Sequence, residues 1–362
     1  MSKVNKFPLY QFLSLSLLLC KALFSLSLPF PVVLSLSLSP SLVLSFSLQD
    51  TIIPSSNFVR MWSNDPDQFV EDEDDDTFSY SVRISAQDLL LSLATEFPNE
   101  SAPALCHAFT QHIQQAEMDK NAGNPHWWKI HESCLLALGS VRNLFVDHLK
   151  KGKLQFDIKH FIESVILADM TAGSVSPFLI GRCLWTGSRF AAVMDPEIME
   201  KFLQATMTGL HPTQPASVRI SAVRAVFGFC EYLKNCGTTQ ILFNFLPNIM
   251  EGLLSITTQF SSNVLALSLE TLIVVLAIDD NFTASVEAKV TPLTIAVFLK
   301  YSSDPLIVSL VEDMITQMAM WGRPFLPGAL SQWYGLKRFL SGALFRCLAE
   351  LIPHRFIRHA TL

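Results

Sequence analysis

Six consecutive carboxylates, Glu71, Asp72, Glu73, Asp74, Asp75 and Asp76, are the side chains in this sequence best placed to do chemistry. Like charges at that density repel one another and stay in solvent, so the run reads as a solvated loop. Such a loop is a ready electrostatic partner for a Lys- or Arg-rich protein, with fast, salt-sensitive association. Together with Asp65 and Asp67 it puts eight acids in a 12-residue window that has no Lys or Arg. The whole chain of 362 residues carries 32 acids and 26 bases, a net charge of −6, so outside the window 24 acids face 26 bases. The acidity is therefore one local feature, and a generally basic nucleic-acid-binding surface is excluded.

Other constellations are weaker. His131-Glu132 opens like a zinc-protease motif, but Leu135 stands where the second His is required. The pair reads as polar residues on a helix surface. Trp127-Trp128 has the ring area to stack on a base or ligand, yet at a helix start after Pro125 it reads as packing onto the preceding helical hairpin. No Gly-rich phosphate loop and no G-x-S-x-G is present. The seven Cys form no C-x-x-C pair, which excludes a zinc ribbon and a thioredoxin-like centre. Scattered along apolar stretches, they fit reduced, buried thiols of a cytosolic or nuclear protein. No catalytic, cofactor-binding or metal-ligating residue is expected, and the chain does not read as an enzyme.

The elements that must position the acidic run are helices. Val82, Ala86, Leu89, Leu90, Leu93 and Phe97 recur at helical spacing, as do Val223, Val226, Phe227, Cys230 and Leu233. Ser176-Pro177, Asp195-Pro196 and Asp304-Pro305 put a capping side chain before a proline that has no N–H to leave unbonded. First helices of a repeated pair are expected to begin near Ser79, His126, Ser176, Pro215, Ser262 and Asp304, and second ones near Ser101, Phe156, Asp195, Thr238 and Thr283. Pro292 should kink or restart the last of these. A period of about 40–47 residues with two helices per unit is the armadillo/HEAT signature. Val82-Arg83-Ile84-Ser85-Ala86 recurs as Val218-Arg219-Ile220-Ser221-Ala222, a distance that fits three repeats. The competing reading is an irregular α-helical domain with a chance match.

Residues 7–48 differ in texture. From Leu13 to Leu48 they are almost only Leu and Ser, broken by Pro29, Pro31 and Pro40. They mimic a secretory signal or a membrane helix, but Ser recurs too often and Lys21 interrupts any clean apolar span. A translated pyrimidine repeat is the preferred reading. The sequons at Asn99-Glu100-Ser101 and Asn281-Phe282-Thr283 are short enough to arise by chance. The expected organisation is residues 1–57 as this low-complexity segment, 58–77 as a Trp-x-x-Asp-Pro motif with the acidic loop, 78–320 as an array of five to six helix pairs, and 321–362 as an atypical tail.

Trp62-Ser63-Asn64-Asp65-Pro66-Asp67-Gln68-Phe69, followed by the acids and then Arg83-Ile84-Ser85-Ala86-Gln87-Asp88-Leu89-Leu90, resembles the karyopherin-β (importin-β) family. Further blocks, His126–Glu132, Val175–Leu179, Gln214–Ala225 and Phe298–Ser302, are similar to its importin-nine type, so the resemblance runs from about residue 58 to 320. It implies an all-α HEAT-repeat α-solenoid, a right-handed superhelix of antiparallel helix pairs, incomplete at both ends. It also implies a nuclear import receptor shuttling between cytoplasm and nucleus. Its partners would be basic protein cargo such as histones and ribosomal proteins, Phe-Gly nucleoporins and the Ran GTPase, with neither nucleic acid nor membrane bound directly. The Leu/Ser stretch stands where the family's N-terminal repeats carry the main Ran surface, so Ran is the partner least expected here. The expected cargo-binding residues are Glu71 to Asp76. The runner-up is a generic HEAT scaffold joining two partners without transport activity.

Overall fold

The computed structural model describes residues 53–73, 82–153, 156–171, 175–260 and 262–321. The Leu/Ser stretch, Asp74, Asp75, Asp76, the expected helix start at Ser79 and the tail from residue 322 lie outside the described residues. Among the described residues every regular element is helical. In chain order they are α1 (Ser56–Asn64), α2 (Pro66–Asp72), α3 (Val82–Glu96), α4 (Pro98–Asn121), α5 (Trp127–Ser140) and α6 (Arg142–Lys150). Then come α7 (Ile158–Phe161), a π-helical turn (Ile162–Ile166), α8 (Leu167–Thr171), α9 (Pro177–Arg189) and α10 (Pro196–Leu210). The remaining α-helices are α11 (Ala216–Asn235), α12 (Leu246–Gln259), α13 (Ser262–Leu276), α14 (Asp280–Lys300) and α15 (Pro305–Trp321), with 3-10 turns at Ala191–Val193 and Thr239–Leu242.

The chain forms two compact units: one holds residues up to Arg60 and Asp76–Thr186, the other Met61–Asp75 and residues from Gly187 onward. In the first, α3 packs on α4 and α5, and α4 also packs on α6. Helix α4 begins at Pro98, earlier than the sequence-expected Ser101, because proline is pre-organised for a first helical position. Ser101 is buried, its hydroxyl donating to the Leu93 carbonyl at 2.9 Å. An aromatic chain fills the interior, with ring centroids of Phe109 and Phe145 5.7 Å apart and those of Phe145 and Phe156 6.3 Å apart.

Gly139 lets α5 approach α9 closely. A Cβ there would stand 2.3 Å from Cζ3 of Trp185, whose ring already carries the Arg182 guanidinium 4.9 Å from its centroid. An added methyl would therefore have to displace the ring and its cation contact. Gly139→Ala is expected to destabilise this unit by about 1–3 kcal/mol through overpacking, read as a lowered Tm by circular dichroism.

In the second unit α11, α13 and α15 lie side by side in one layer, while α10 packs on both α11 and α12. Helix α12 packs on α13, and α14 on α15. This is a stack of helix pairs, each burying its apolar face against its neighbours. The caps read from sequence at Asp195 and Asp304 form: Asp195 Oδ1 accepts from Ile198 N at 3.0 Å, and Asp304 Oδ1 from Leu306 N at 3.0 Å. Pro292 neither ends nor restarts a helix, since α14 runs through it to Lys300. Val290, Thr294 and Val297, buried on its inner face, carry the helix across the lost hydrogen bond. Helix α14 also has the length and hydropathy to cross a bilayer, but here it packs on α15. Thr283 of the second sequon is buried and donates to the Leu276 carbonyl.

Candidate functional site

The acidic window divides into carboxylates the fold uses and carboxylates it leaves to solvent. Asp65 caps its own helix: Oδ1 accepts from Gln68 N at 3.1 Å, with Pro66 at the first helical position. Asp67 reaches across to cap a different helix, accepting from Val264 N in the first turn of α13 at 3.1 Å. Asp72 takes the Trp62 indole N–H at 2.8 Å and the Gln68 amide at 3.0 Å. Glu71 is exposed and Glu73 half-buried. Of the six residues expected to meet a partner, Asp72 thus already has an internal task, and Asp74 to Asp76 lie outside the described residues.

The Trp-x-x-Asp-Pro-x-x-Phe motif is the mount of the run. Trp62, Phe69 and Val70 are buried, and the Trp62 and Phe69 rings meet edge-on at 5.5 Å. Helix α2, which carries Phe69 and Val70, packs on α11 and α13. Arg224 of α11 donates to the Glu73 carbonyl at 2.8 Å and the Val70 carbonyl at 2.9 Å. It thereby satisfies carbonyls that a helix C-terminus leaves open and sets a cation against the negative end of the helix dipole. The described part of the run, Glu71 to Glu73, is therefore held on this unit. The sequence offered Asp65-Pro66 only as part of the family motif. Arg224 and Asp67 were not legible as anchors, because their partners lie 151 and 197 residues away.

His131 and Glu132, read as a helix-surface pair, are both buried in the first unit. Glu132 Oε1 and Oε2 accept from both terminal nitrogens of Arg83, at 2.6 and 3.0 Å, and Oε1 also accepts from Arg182 Nε at 2.9 Å. Burial pushes the Glu132 carboxyl up, but the two guanidiniums and their hydrogen bonds outweigh it and hold it below the usual carboxylate range. His131 Nδ1 lies 2.8 Å from Asp169 Oδ2. One helix turn of α5 thus ties together α3, α8 and α9. A period-based reading misses this because it assigns charged residues to the wet face. The zinc-protease resemblance ends here, since the Glu132 carboxylate is enclosed by two arginines.

The second copy of the repeated pentapeptide behaves differently. Arg219 is as buried as Arg83, but it donates to the neutral acceptors Gln259 and Ser255 of α12 and stands over the Phe260 ring, 5.5 Å from its centroid. Burial lowers its pKa. The tandem tryptophans are half-buried. Trp127 lies under Lys120 of α4, 4.4 Å from the ring centroid, while Trp128 stacks on Phe178 of α9 at 6.1 Å. Trp127 therefore meets the preceding hairpin, and Trp128 reaches α9. Cys106 and Cys230 are pushed up by burial to about 11 and about 12, which makes both poor nucleophiles. Among the described residues no group of His, Cys, Asp or Glu could hold a metal ion.

Comparison with known proteins agrees with this architecture. The family model described as importin-9 central HEAT repeats matches residues 55–297. Importin-9 of Drosophila melanogaster is 34% identical over 258 residues, which cover 70% of this chain and 25% of that relative. The chain therefore spans about a quarter of that relative's length. Two crystal structures of Kap121p share the fold. The one bound to Pho4p aligns with a TM-score of 0.61 at 16% identity, over 85% of this chain and 27% of that one. The one bound to Nup53p aligns with a TM-score of 0.52 at 14% identity, over 86% and 33%.

Proposed function

Because the chain belongs to the importin-9 family, whose fold is an all-α HEAT-repeat solenoid, we propose that it acts in nuclear import, as a receptor that binds basic protein cargo for passage through nuclear pores. The observation that supports this most is the acidic segment at Glu71, Asp72, Glu73, Asp74, Asp75 and Asp76, rooted on α2 by Arg224 and by the Trp62–Asp72 bond. Six acids in succession, the first three of them on a fixed root, give a dense negative charge that steers Lys- and Arg-rich partners. Histones and ribosomal proteins have that chemistry. Kap121p, whose fold this chain shares, has been crystallised with Pho4p and with Nup53p. By extension, Phe-Gly nucleoporins are the second partner class and shuttling between cytoplasm and nucleus the expected location. Ran is a third partner, with less support in the residues at hand. No catalytic step is proposed.

The second reading, a HEAT scaffold without transport activity, rests on the same solenoid and accounts equally for binding a basic protein. Retention on immobilised Phe-Gly repeats separates the two. A receptor is retained on the repeats and also binds a fluorescent histone-tail peptide. A scaffold binds the peptide and passes through the Phe-Gly column.

A further inference from the structure

Helix α5 carries a second buried polar centre beside Glu132. The His131 side chain is 1% exposed and lies between two carboxylates that come from different helices. Nδ1 stands 2.8 Å from Asp169 Oδ2 of α8, and because a carboxylate can only accept, Nδ1 carries a proton and donates. Nε2 faces Glu117 of α4, 3.7 Å from Oε1, and among the described residues it has no hydrogen-bond partner. In the neutral imidazole Nε2 is then a bare lone pair, buried opposite a negative charge, which is unfavourable on both counts. In the imidazolium it carries a second N–H that faces the carboxylate. The Glu117 side chain is 46% exposed, so it has room to close the remaining gap.

The surrounding charges fit a cation at this position. Lys120 of α4 stands 3.7 Å from Glu117 Oε1 and 3.8 Å from Asp169 Oδ1, with its ammonium over the Trp127 ring. It offsets one of the two carboxylates and leaves one negative charge for the imidazolium to balance. From α9, the Cys183 thiol is held protonated by burial and then by the Asp169 charge. Arg182 of α9 and Arg83 of α3 are turned onto Glu132 and bonded there. Asp169 sits on α8, which is reached from α7 through a π-helical turn, a local distortion common at functional positions.

We propose that His131 is a proton-operated clasp. Charged, it joins Glu117 of α4 to Asp169 of α8 through both ring nitrogens. Neutral, it holds Asp169 alone and leaves the α4 end open. Histidine is the side chain whose charge ordinarily changes between pH 5 and 8. The proton-bound form gains a bond that exists only in the folded state, so the stability it adds is gained on acidification and lost as pH rises. The seating of α8 is thereby tied to the proton concentration.

The test compares the full unmodified chain with Glu117→Gln at pH 8 and at pH 6. A carboxamide can donate to a neutral Nε2 or accept from a protonated one, so the variant is indifferent to the proton. Loss of the Glu117–Lys120 pair is common to both pH values and cancels. Between pH 8 and pH 6 the unmodified protein should gain at least about 2 °C in Tm relative to the variant. A Tm difference that is equal at the two pH values overturns the clasp. Should the variant not fold, hydrogen exchange on the unmodified protein decides, with intrinsic rates corrected for pH. Amides of α8 should gain protection at pH 6 relative to those of α12, a helix with no histidine. The same pH dependence in both helices overturns the proposal.

Discussion

Glu132→Gln should destabilise the first unit by about 3–5 kcal/mol, the cost of removing the buried carboxylate that two buried cations share. Arg83 and Arg182 have side chains only 6% and 5% exposed, so neither can turn to water when the carboxylate is removed. The amide has one acceptor oxygen where the carboxylate presents two, and its NH2 group opposes a guanidinium donor. Chemical denaturation of the two proteins at pH 7 measures the difference. The same carboxylate gives stability a pH dependence of predictable sign. Its folded pKa lies below the ordinary value, so its contribution is fully present above the unfolded glutamate range, about 4.3, and is lost as pH falls through the folded value. The unmodified protein should therefore lose stability on acidification below about pH 4.5. In the Gln variant that acid limb should be shallower.

Neutralising the acidic run should have the largest effect on binding. Asp72 must be left intact, because converting it removes the acceptor of the Trp62 indole and loosens the mount. The informative variant changes Glu71, Glu73, Asp74, Asp75 and Asp76 to Asn or Gln. Each exposed pair contributes little, about 0.2–1 kcal/mol, and the pairs are not additive. Five together should still weaken binding of a Lys-rich histone-tail peptide by about 10- to 100-fold at low ionic strength. The Debye length of about 8 Å in physiological salt confines the effect to cationic segments close to the run. The association rate should fall more than the dissociation rate rises. Helix content should not change, since Asp72, which accepts the Trp62 indole N–H, is left intact.

The all-α character and most helix starts were legible because period and caps are local properties. Asp195-Pro196 and Asp304-Pro305 state a cap within two residues, and the structure forms both. The polar contacts that unite helices were not legible, since Arg83 meets Glu132 49 residues away and Asp67 meets Val264 N at 197. Composition also misassigned them. Glu132 and Arg83 have surface-type side chains, and only the fold reveals that each neutralises the other in the interior. The acidic window misled in the opposite sense. It reads as one uniform feature, whereas Asp65, Asp67 and Asp72 are spent on a cap, an inter-helix cap and an indole, and Glu71 faces solvent. Pro292 was over-read, because packing on α15 stabilises α14 through it.

The central claim is that the acids beyond the Trp62–Asp72 mount bind basic cargo electrostatically. The most direct measurement is the affinity of a Lys-rich histone-tail peptide for the unmodified protein and the five-site variant, across a salt series from low to well above physiological ionic strength. The account predicts a large gap at low salt that narrows steadily as screening grows, with the variant showing the weaker salt dependence. Two proteins of equal affinity at every salt concentration would contradict it and leave the run as a solubilising spacer.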